Sequence, residues 1–351
     1  MTIVCPLCLL DNVVLLGKRS DFFSLNGYAA FLPDIHEFDR HIYRCDICGL
    51  QFSHPSYTPE DLGKLYNCSG YVEFTKIVQD DTHWTQTEEH IQSWVQDLNA
   101  LGVSDWKRSF VQKLKGQDTK PRMLDIGCGN GRYLLTFSRL GFDVTGIDLS
   151  DDHIQDVRKR GFKAEKASWE EFEPPEKFDC IAAIHIIEHV VDPHLFMDKI
   201  KAMLAPGGII IIETPFAEDS GEFEQRYRDV YHTMFFDHFT LSILADWHGF
   251  EPSRFHHTIL NSGGYHYYFK ALLTAAPPST PEPNVVGSKT GLRNLRRAYD
   301  QAYHGFLDRC HENFMLRENI VILTLEFYKQ HGFAATLRKI FNVLVYRAKN
   351  F

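Results

Sequence analysis

The fold is decided by residues 123–135, which read MLDIGCGNGRYLL. A largely apolar strand pattern runs into three glycines at alternate positions, and a helical pattern follows directly. Glycine lets the backbone turn tightly and lets a ligand approach it closely. The Gly-x-Gly-x-Gly spacing differs from the Gly-x-Gly-x-x-Gly of dinucleotide-binding loops. The segment therefore predicts a strand, a loop and a helix, with the loop either binding a ligand or serving only as a tight turn.

A second predicted strand, residues 142–148, ends on Asp148. A carboxylate at this position can accept hydrogen bonds from both ribose hydroxyls of an adenosine-containing ligand. In a doubly wound sheet, the glycine loop and Asp148 would lie at the carboxyl ends of neighbouring strands, where ligands bind.

Strand-like and helix-like runs alternate from Arg122 to about Leu273, which is typical of an α/β protein with a parallel sheet wrapped by helices. Further strands are predicted at 178–185 and 204–215. Residues 261–264 can close a hairpin into an antiparallel strand from Tyr265 to Leu272.

This combination resembles the class I S-adenosylmethionine-dependent methyltransferases. The resemblance implies a doubly wound, seven-stranded Rossmann-like sheet, methyltransferase activity, and S-adenosylmethionine as cofactor. The residues that it implies for cofactor binding are Asp125, Gly127, Gly129, Asp148, Ser168, Trp169 and His185. The first three would surround the methionine portion, and Asp148 would hold the ribose. Ser168 and Trp169 would lie near the adenine, although Trp169 could equally be a core residue.

The candidate catalytic residues lie at the end of the predicted strand 178–185 and in the turn after it. Spacing of i, i+3 and i+4 places His185, Glu188 and His189 on one face of a helical turn. A neutral imidazole of His185 or His189 could act as general base, or the three side chains could hold a divalent metal. A purely structural role is the third alternative. His232, in the later stretch that lines the acceptor pocket in the family, is an added candidate as metal ligand or second base.

The same stretch is similar to the Glu-x-x-Glu-His element of ubiquinone-biosynthesis O-methyltransferases and small-RNA 2′-O-methyltransferases. That element contributes metal ligands in those families. His185 stands where they place the first glutamate, which departs from their pattern.

Two Cys-x-x-Cys pairs lie near the start of the chain, Cys5 with Cys8 and Cys45 with Cys48. Four thiolates on two tight turns suit a tetrahedral, structural zinc ion. The arrangement resembles the N-terminal zinc ribbon of bacterial methyltransferases that modify sugars and polysaccharides.

Five segments are predicted: a zinc-ribbon module (1–58), a helical connector (59–118), the methyltransferase domain (119–275), a proline-rich linker (276–288) and a basic helical tail (289–351). The tail carries an apolar stripe over 333–345, which indicates docking on the domain, a homo-oligomer contact or peripheral membrane contact.

The net charge of −9 argues against a general nucleic-acid partner. The start of the chain lacks the layout of a secretory signal, so we expect a cytoplasmic protein.

The sequence favours O-methylation of a sugar or polysaccharide-precursor hydroxyl, with a small molecule or glycan as acceptor. The alternatives are C-methylation of a nucleotide-linked sugar, metal-dependent O-methylation of the RNA or quinone type, and a non-catalytic binding module. The acceptor expectation rests on the zinc-module resemblance alone.

Overall fold

The computed structural model describes residues 2–18, 40–58, 88–115, 120–215, 217, 232–260, 266–275 and 289–312. The predicted linker 276–288, the apolar stripe at 333–345 and the hairpin turn 261–264 lie outside these ranges. None of the described helices is both long enough and apolar enough to cross a membrane.

The described chain forms eleven strands and seven α-helices. The strands are β1 (Val13–Lys18), β2 (His41–Cys45), β3 (Gln51–His54), β4 (Arg122–Ile126), β5 (Asp143–Asp148), β6 (Lys163–Lys166), β7 (Phe178–Ile184), β8 (Leu204–Pro215), β9 (Met234–Phe235), β10 (Phe250–Leu260) and β11 (His266–Ala275). The helices are α1 (Glu88–Ala100), α2 (Val103–Phe110), α3 (Arg132–Arg139), α4 (Asp151–Lys159), α5 (Pro193–Met203), α6 (His238–Trp247) and α7 (Lys289–Glu312). A π-helical turn, Val111–Lys115, follows α2, and a 3₁₀ turn, Ile187–His189, follows β7.

Seven strands build the main sheet in the order β10-β11-β8-β7-β4-β5-β6. The strands from β8 to β6 pair in parallel, whereas β11 lies antiparallel between β8 and β10. This topology confirms the predicted doubly wound sheet with its antiparallel last strand. The strand order reverses beside β4, and the glycine loop that follows β4 therefore lies at the topological switch point, where α/β proteins bind ligands.

The central strands are covered on both faces, which explains their continuous apolar sequences. All seven residues of β7 are buried. Along β8, Ile209 and Ile211 pack in one core cluster together with residues of α3. Ile210 and Ile212 pack in the other cluster, with residues of α5 and α6. Alternate side chains thus attach helices to opposite faces of the sheet.

The helices around the sheet begin at residues that cap them. Asp192 accepts backbone N–H bonds at the start of α5, where Pro193 takes the first helical position. Asp237 and Thr240 form a capping box at the start of α6. Such caps satisfy donors that a helix leaves unpaired, and they fix where the preceding loops enter.

The N-terminal cysteine module is joined to the main domain by a strand. Its sheet has the order β1-β2-β3-β9, and β9 comes from the segment that follows β8. Cys45 and Cys48 belong to the same buried cluster as Phe236 and Phe239 of the main domain. The module is therefore packed against the main domain.

Candidate active site

The glycine loop adopts a conformation that side chains disfavour. Gly127 and Gly129 have φ values of 69° and 50°, in the left-handed region. A Cβ on Gly127 would lie 2.3 Å from Cδ1 of Ile186, so the loop packs directly against the turn that follows β7. A Cβ on Gly129 would meet no atom within 4 Å, which leaves an open face at the switch point.

Asp148 fastens this loop to the end of β5. Its Oδ2 accepts the N–H of Gly129 at 2.9 Å, and its Oδ1 accepts the N–H of Ser150 at 2.8 Å. Burial works to raise the pKa of Asp148, but the bonds from His153 and Ser150 outweigh it and hold that pKa below its usual value. The carboxylate is 14% exposed, so it stays ionised and can still accept from a ligand.

Asp125 is buried, and Ser168 and Trp169, the residues predicted near the adenine, each contact a neighbouring residue. Burial raises the pKa of Asp125 to about 8. The Oγ of Ser168 accepts the N–H of Glu171. The ring of Trp169 meets the ring of Phe196 edge-on at 5.1 Å, so one part of its surface serves the core.

His185 adopts a left-handed conformation with a φ of 55°, between the end of β7 and the 3₁₀ turn. Its Nδ1 lies 3.3 Å from Oε1 of Glu188, and its Nε2 lies 3.3 Å from Oε1 of Glu213. Burial works to lower the pKa of His185, but these two carboxylates raise it to about 9.

This environment bears on the two roles that the sequence analysis considered for His185. A pKa raised to about 9 favours the protonated imidazole and argues against His185 as a neutral base. Its two nitrogens face Glu188 and Glu213, so the geometry groups Glu188 and His189 with His232 as possible metal ligands. The left-handed backbone takes it off the helical face that the spacing predicts.

A buried ion-pair network extends from His185 and was missed by the sequence analysis. Lys270 and Glu213 stand opposite each other on β11 and β8, with Nζ and Oε2 2.9 Å apart. Tyr133, on α3, donates its hydroxyl to the same Oε2 at 2.9 Å. Lys270 also lies 3.7 Å from Asp97 of the connector helix α1. The sequence signal that could have revealed this network is a single acidic or basic residue within a mainly apolar strand, Glu213 in β8 and Lys270 in β11.

Glu188, His189 and His232 form a second cluster beside the glycine loop. One ligand atom from each lies within 4.8 Å of the others. Burial works to raise the pKa of Glu188, but His185 and the other histidines hold it below its usual value. Oε2 of Glu188 has no hydrogen-bond partner among the described residues. His232 thus takes the place in the cluster that the sequence analysis gave to His185.

His238, the first residue of α6, lies in an aromatic environment outside this cluster. Its ring packs 4.6 Å from that of Phe255 and 4.8 Å from that of Phe269.

The four module cysteines converge on one point. Their sulfur atoms all lie within 4.8 Å of one another, with 3.6 Å between Cys5 and Cys48 and 3.4 Å between Cys8 and Cys45. A tetrahedral zinc with Zn–S bonds of about 2.3 Å separates its sulfurs by about 3.8 Å. The arrangement is therefore suited to a closed four-thiolate site.

Sequence comparison gives curated relatives for part of the chain. The ubiquinone biosynthesis O-methyltransferase of Bradyrhizobium diazoefficiens is 38% identical over 99 residues, which cover 26% of this chain and 39% of that protein. The enzyme of the same name from Nitrobacter winogradskyi is 39% identical over 99 residues, covering 26% and 38%. The chain thus spans about two fifths of the length of the curated relatives it matches.

Solved structures with similar folds include two methyltransferases. The 1,6-didemethyltoxoflavin-N1-methyltransferase of Burkholderia thailandensis has 18% identity and a TM-score of 0.45, covering 68% of this chain and 96% of that one. The N-methyltransferase NodS of Bradyrhizobium japonicum has 15% identity and a TM-score of 0.44, covering 59% and 98%.

The family model for a methyltransferase domain matches residues 78–259, more than half of the chain. The match spans the glycine loop, Asp148 and the Glu188 cluster. By its sequence and its seven-stranded sheet, the chain belongs to the methyltransferase domain family.

Proposed function

We propose that this protein transfers the methyl group of S-adenosylmethionine to a hydroxyl oxygen. The observation that carries the proposal is the packing of the turn 186–189 against the glycine loop, which Asp148 fastens to β5. This contact sets the Glu188–His189–His232 cluster beside the surface where a nucleoside ligand would bind. Cofactor and acceptor can thus meet at the carboxyl edge of the sheet.

The residues at this edge fit the cofactor. Gly129 presents an open backbone face, and Asp148 is an oriented, partly exposed carboxylate that can accept from ribose hydroxyls. When bound, S-adenosylmethionine supplies an electrophilic methyl group. We also propose the adenine contact by Ser168 and Trp169 that the family resemblance implies.

The chain's own groups would orient the acceptor and remove its proton. His189 and His232 are the candidates for the base, since Glu188 and Glu213 raise the pKa of His185 to about 9 and so favour its protonated form. Glu188 would stabilise the charge that an accepting histidine gains. Much of the rate would come from holding the hydroxyl in line with the methyl group.

A divalent metal at Glu188, His189 and His232 is the second mechanism. Two imidazoles and a buried carboxylate oxygen that has no hydrogen-bond partner in the described part of the chain are a suitable donor set. Such an ion would lower the pKa of a bound hydroxyl. Activity that survives a chelator favours the histidine base, and activity restored by Mg²⁺ or Mn²⁺ favours the metal.

For the acceptor we retain a sugar or polysaccharide-precursor hydroxyl, supported by the resemblance of the cysteine module. A quinone-type phenol is the second candidate, and the curated O-methyltransferase relatives together with the donor cluster favour it. C-methylation of a nucleotide-linked sugar, RNA ribose methylation and a non-catalytic binding module are the remaining alternatives.

Zinc in the four-cysteine site is part of the proposal. The convergence of the four sulfur atoms supports it, and a site closed by four thiolates leaves no position for a substrate. We therefore assign this zinc a structural role.

The test is methyl transfer from ¹³C-methyl-labelled S-adenosylmethionine to nucleotide-linked sugars and to catechols, with the product identified by NMR. The chemical shift of the labelled methyl group distinguishes an O-methyl from a C-methyl product. An O-methyl product supports the proposal. A C-methyl product, or cofactor binding without transfer to any acceptor class, contradicts it.

A further inference from the structure

Thr233 connects the cysteine module to the Glu188 turn. On the module side, its carbonyl oxygen accepts the N–H of Ser53 at 2.9 Å and the Ser53 hydroxyl at 3.3 Å. The next two residues form β9 and pair with Phe52 and Gln51 of β3. The position of Thr233 is thus set by a strand that follows directly on the second cysteine pair.

On the other side, Thr233 holds the turn of the candidate active site. Its N–H donates to the carbonyl of Glu188 at 2.7 Å. Its hydroxyl lies 2.6 Å from the carbonyl of Val190 and 3.0 Å from that of Glu188. Thr233 is 5% exposed, so these bonds are formed away from water. His232, its neighbour in the chain, is carried to the cluster by the same attachment.

A second connection runs from the module to the same segment. The carbonyl oxygen of Cys48 accepts a hydrogen bond from Arg296 at 3.3 Å. Arg296 also pairs with Asp237, the residue that caps α6. Asp237 is 2% exposed, so the pair is buried. The segment from Thr233 to Asp237 is therefore attached to the module at both of its ends, to Ser53 of β3 at one end and, through Arg296, to Cys48 at the other.

We propose that the four-cysteine module is a positioning element of the candidate active site: zinc in the module orders β3, and β3 acts through Thr233 to hold Glu188, His189 and His232 together. The inference rests on the zinc part of the proposed function and does not depend on methyl transfer. It assigns Ser53 and Thr233 as positioning residues, since each acts through others.

The first test uses the reciprocity of coupling. If bound zinc orders the Glu188 turn through Thr233, then the contact of Thr233 with that turn must in return strengthen zinc binding. We would compare wild type, Thr233→Val and Thr214→Val, each zinc-loaded and checked for folding by circular dichroism. Thr214→Val is the matched control, since the Thr214 hydroxyl is fully buried and has no hydrogen-bond partner among the described residues. Thr233→Ser keeps the hydroxyl and is the rescue variant.

Zinc affinity is read by competition with a chromophoric chelator. We expect Thr233→Val to weaken zinc binding at least about fivefold, the lower end of usual coupling factors. Thr214→Val and Thr233→Ser should resemble wild type. Equal zinc affinity in Thr233→Val and wild type would overturn the inference. No acceptor or cofactor is involved, so failure here is distinct from failure of the methyltransferase proposal.

Hydrogen exchange gives the second test. Removing zinc from wild type should accelerate exchange of the Ser53 and Thr233 amides, while amides of β4 and β7 remain protected. Unchanged exchange at Ser53 and Thr233 in protein shown to be free of zinc would contradict the coupling.

Discussion

Nε2 of His185 lies 3.3 Å from Oε1 of Glu213, which joins the turn after β7 to the end of the neighbouring strand β8. Glu213 is also paired with Lys270, so this one buried carboxylate contacts two basic side chains, His185 and Lys270. Glu188 and Glu213 together raise the pKa of His185 to about 9, which favours its protonated form. The candidate base is therefore to be sought in His189 and His232.

Lys270→Met should destabilise the fold strongly. The substitution leaves Glu213 buried with a weaker set of cations, and breaking a buried ion pair from one side typically costs about 3–5 kcal/mol. Lys163→Met is the control, because Lys163 pairs with Asp143 on the surface, where an ion pair contributes at most about 1 kcal/mol. Urea unfolding measures both. An equal loss of unfolding free energy in the two variants would refute the role given to Lys270.

The His153–Asp148 contact should make stability depend on pH. The hydrogen bond that the His153 ring donates to the Asp148 carboxylate raises the pKa of His153 above 6.5. A raised pKa in the folded state gives stability that is fully present below pH 6.5 and is lost as the pH rises through the folded pKa. His153→Gln should therefore cost most at about pH 6 and progressively less above. Urea unfolding of both proteins across this range measures the difference, and a difference independent of pH would contradict the assignment.

Gly129→Ala should impair cofactor binding beyond its effect on stability. Gly161→Ala is a matched control, since both glycines have positive φ and both have no atom within 4 Å of an added Cβ. Each variant should lose about 1–2 kcal/mol of stability from backbone strain. Only Gly129→Ala should lose affinity for S-adenosylhomocysteine, by at least about tenfold, because its methyl group enters the ligand surface. Equal affinities in the two variants would show that the loop does not contact the ligand.

The purified protein should contain one zinc ion per chain, and metal analysis by mass spectrometry would measure it. Cys8→Ser should lose most of this zinc, because the site then retains three thiolates. Cys128→Ser should keep it, since Cys128 is buried in the glycine loop, away from the module. Full zinc content in Cys8→Ser would contradict the four-thiolate site.

The fold could be predicted because its signals are local. Each signal lies within a short stretch of sequence: the glycine loop, the acid that ends β5, and the apolar runs of β7 and β8. Each stretch therefore indicates its own secondary structure without reference to distant residues. Each Cys-x-x-Cys pair could be recognised for the same reason, and the preference of zinc for four thiolates then predicted that the two pairs meet.

The ion-pair network could not be predicted in the same way. Lys270 and Glu213 meet only because β11 pairs antiparallel with β8 in one register. Similarly, β9 contains only two residues, and its pairing with β3 left no periodic pattern to detect. The sequence spacing grouped His185 with Glu188 and His189, whereas the structure groups His232 with them. The difference follows from the left-handed backbone at His185, which the spacing of side chains does not reveal.

The most direct test of the account is calorimetric titration of the zinc-loaded protein with S-adenosylhomocysteine. Asp148→Asn is the test variant. Asp143→Asn is its control, because Asp143 lies at the opposite end of β5 and its carboxylate pairs with the exposed Lys163. We predict micromolar binding by wild type and Asp143→Asn, and binding weakened at least about tenfold in Asp148→Asn, since a bond to a charged acceptor contributes about 1.5–3 kcal/mol. Absence of binding by folded wild type, or full affinity in Asp148→Asn, would contradict the proposed cofactor site.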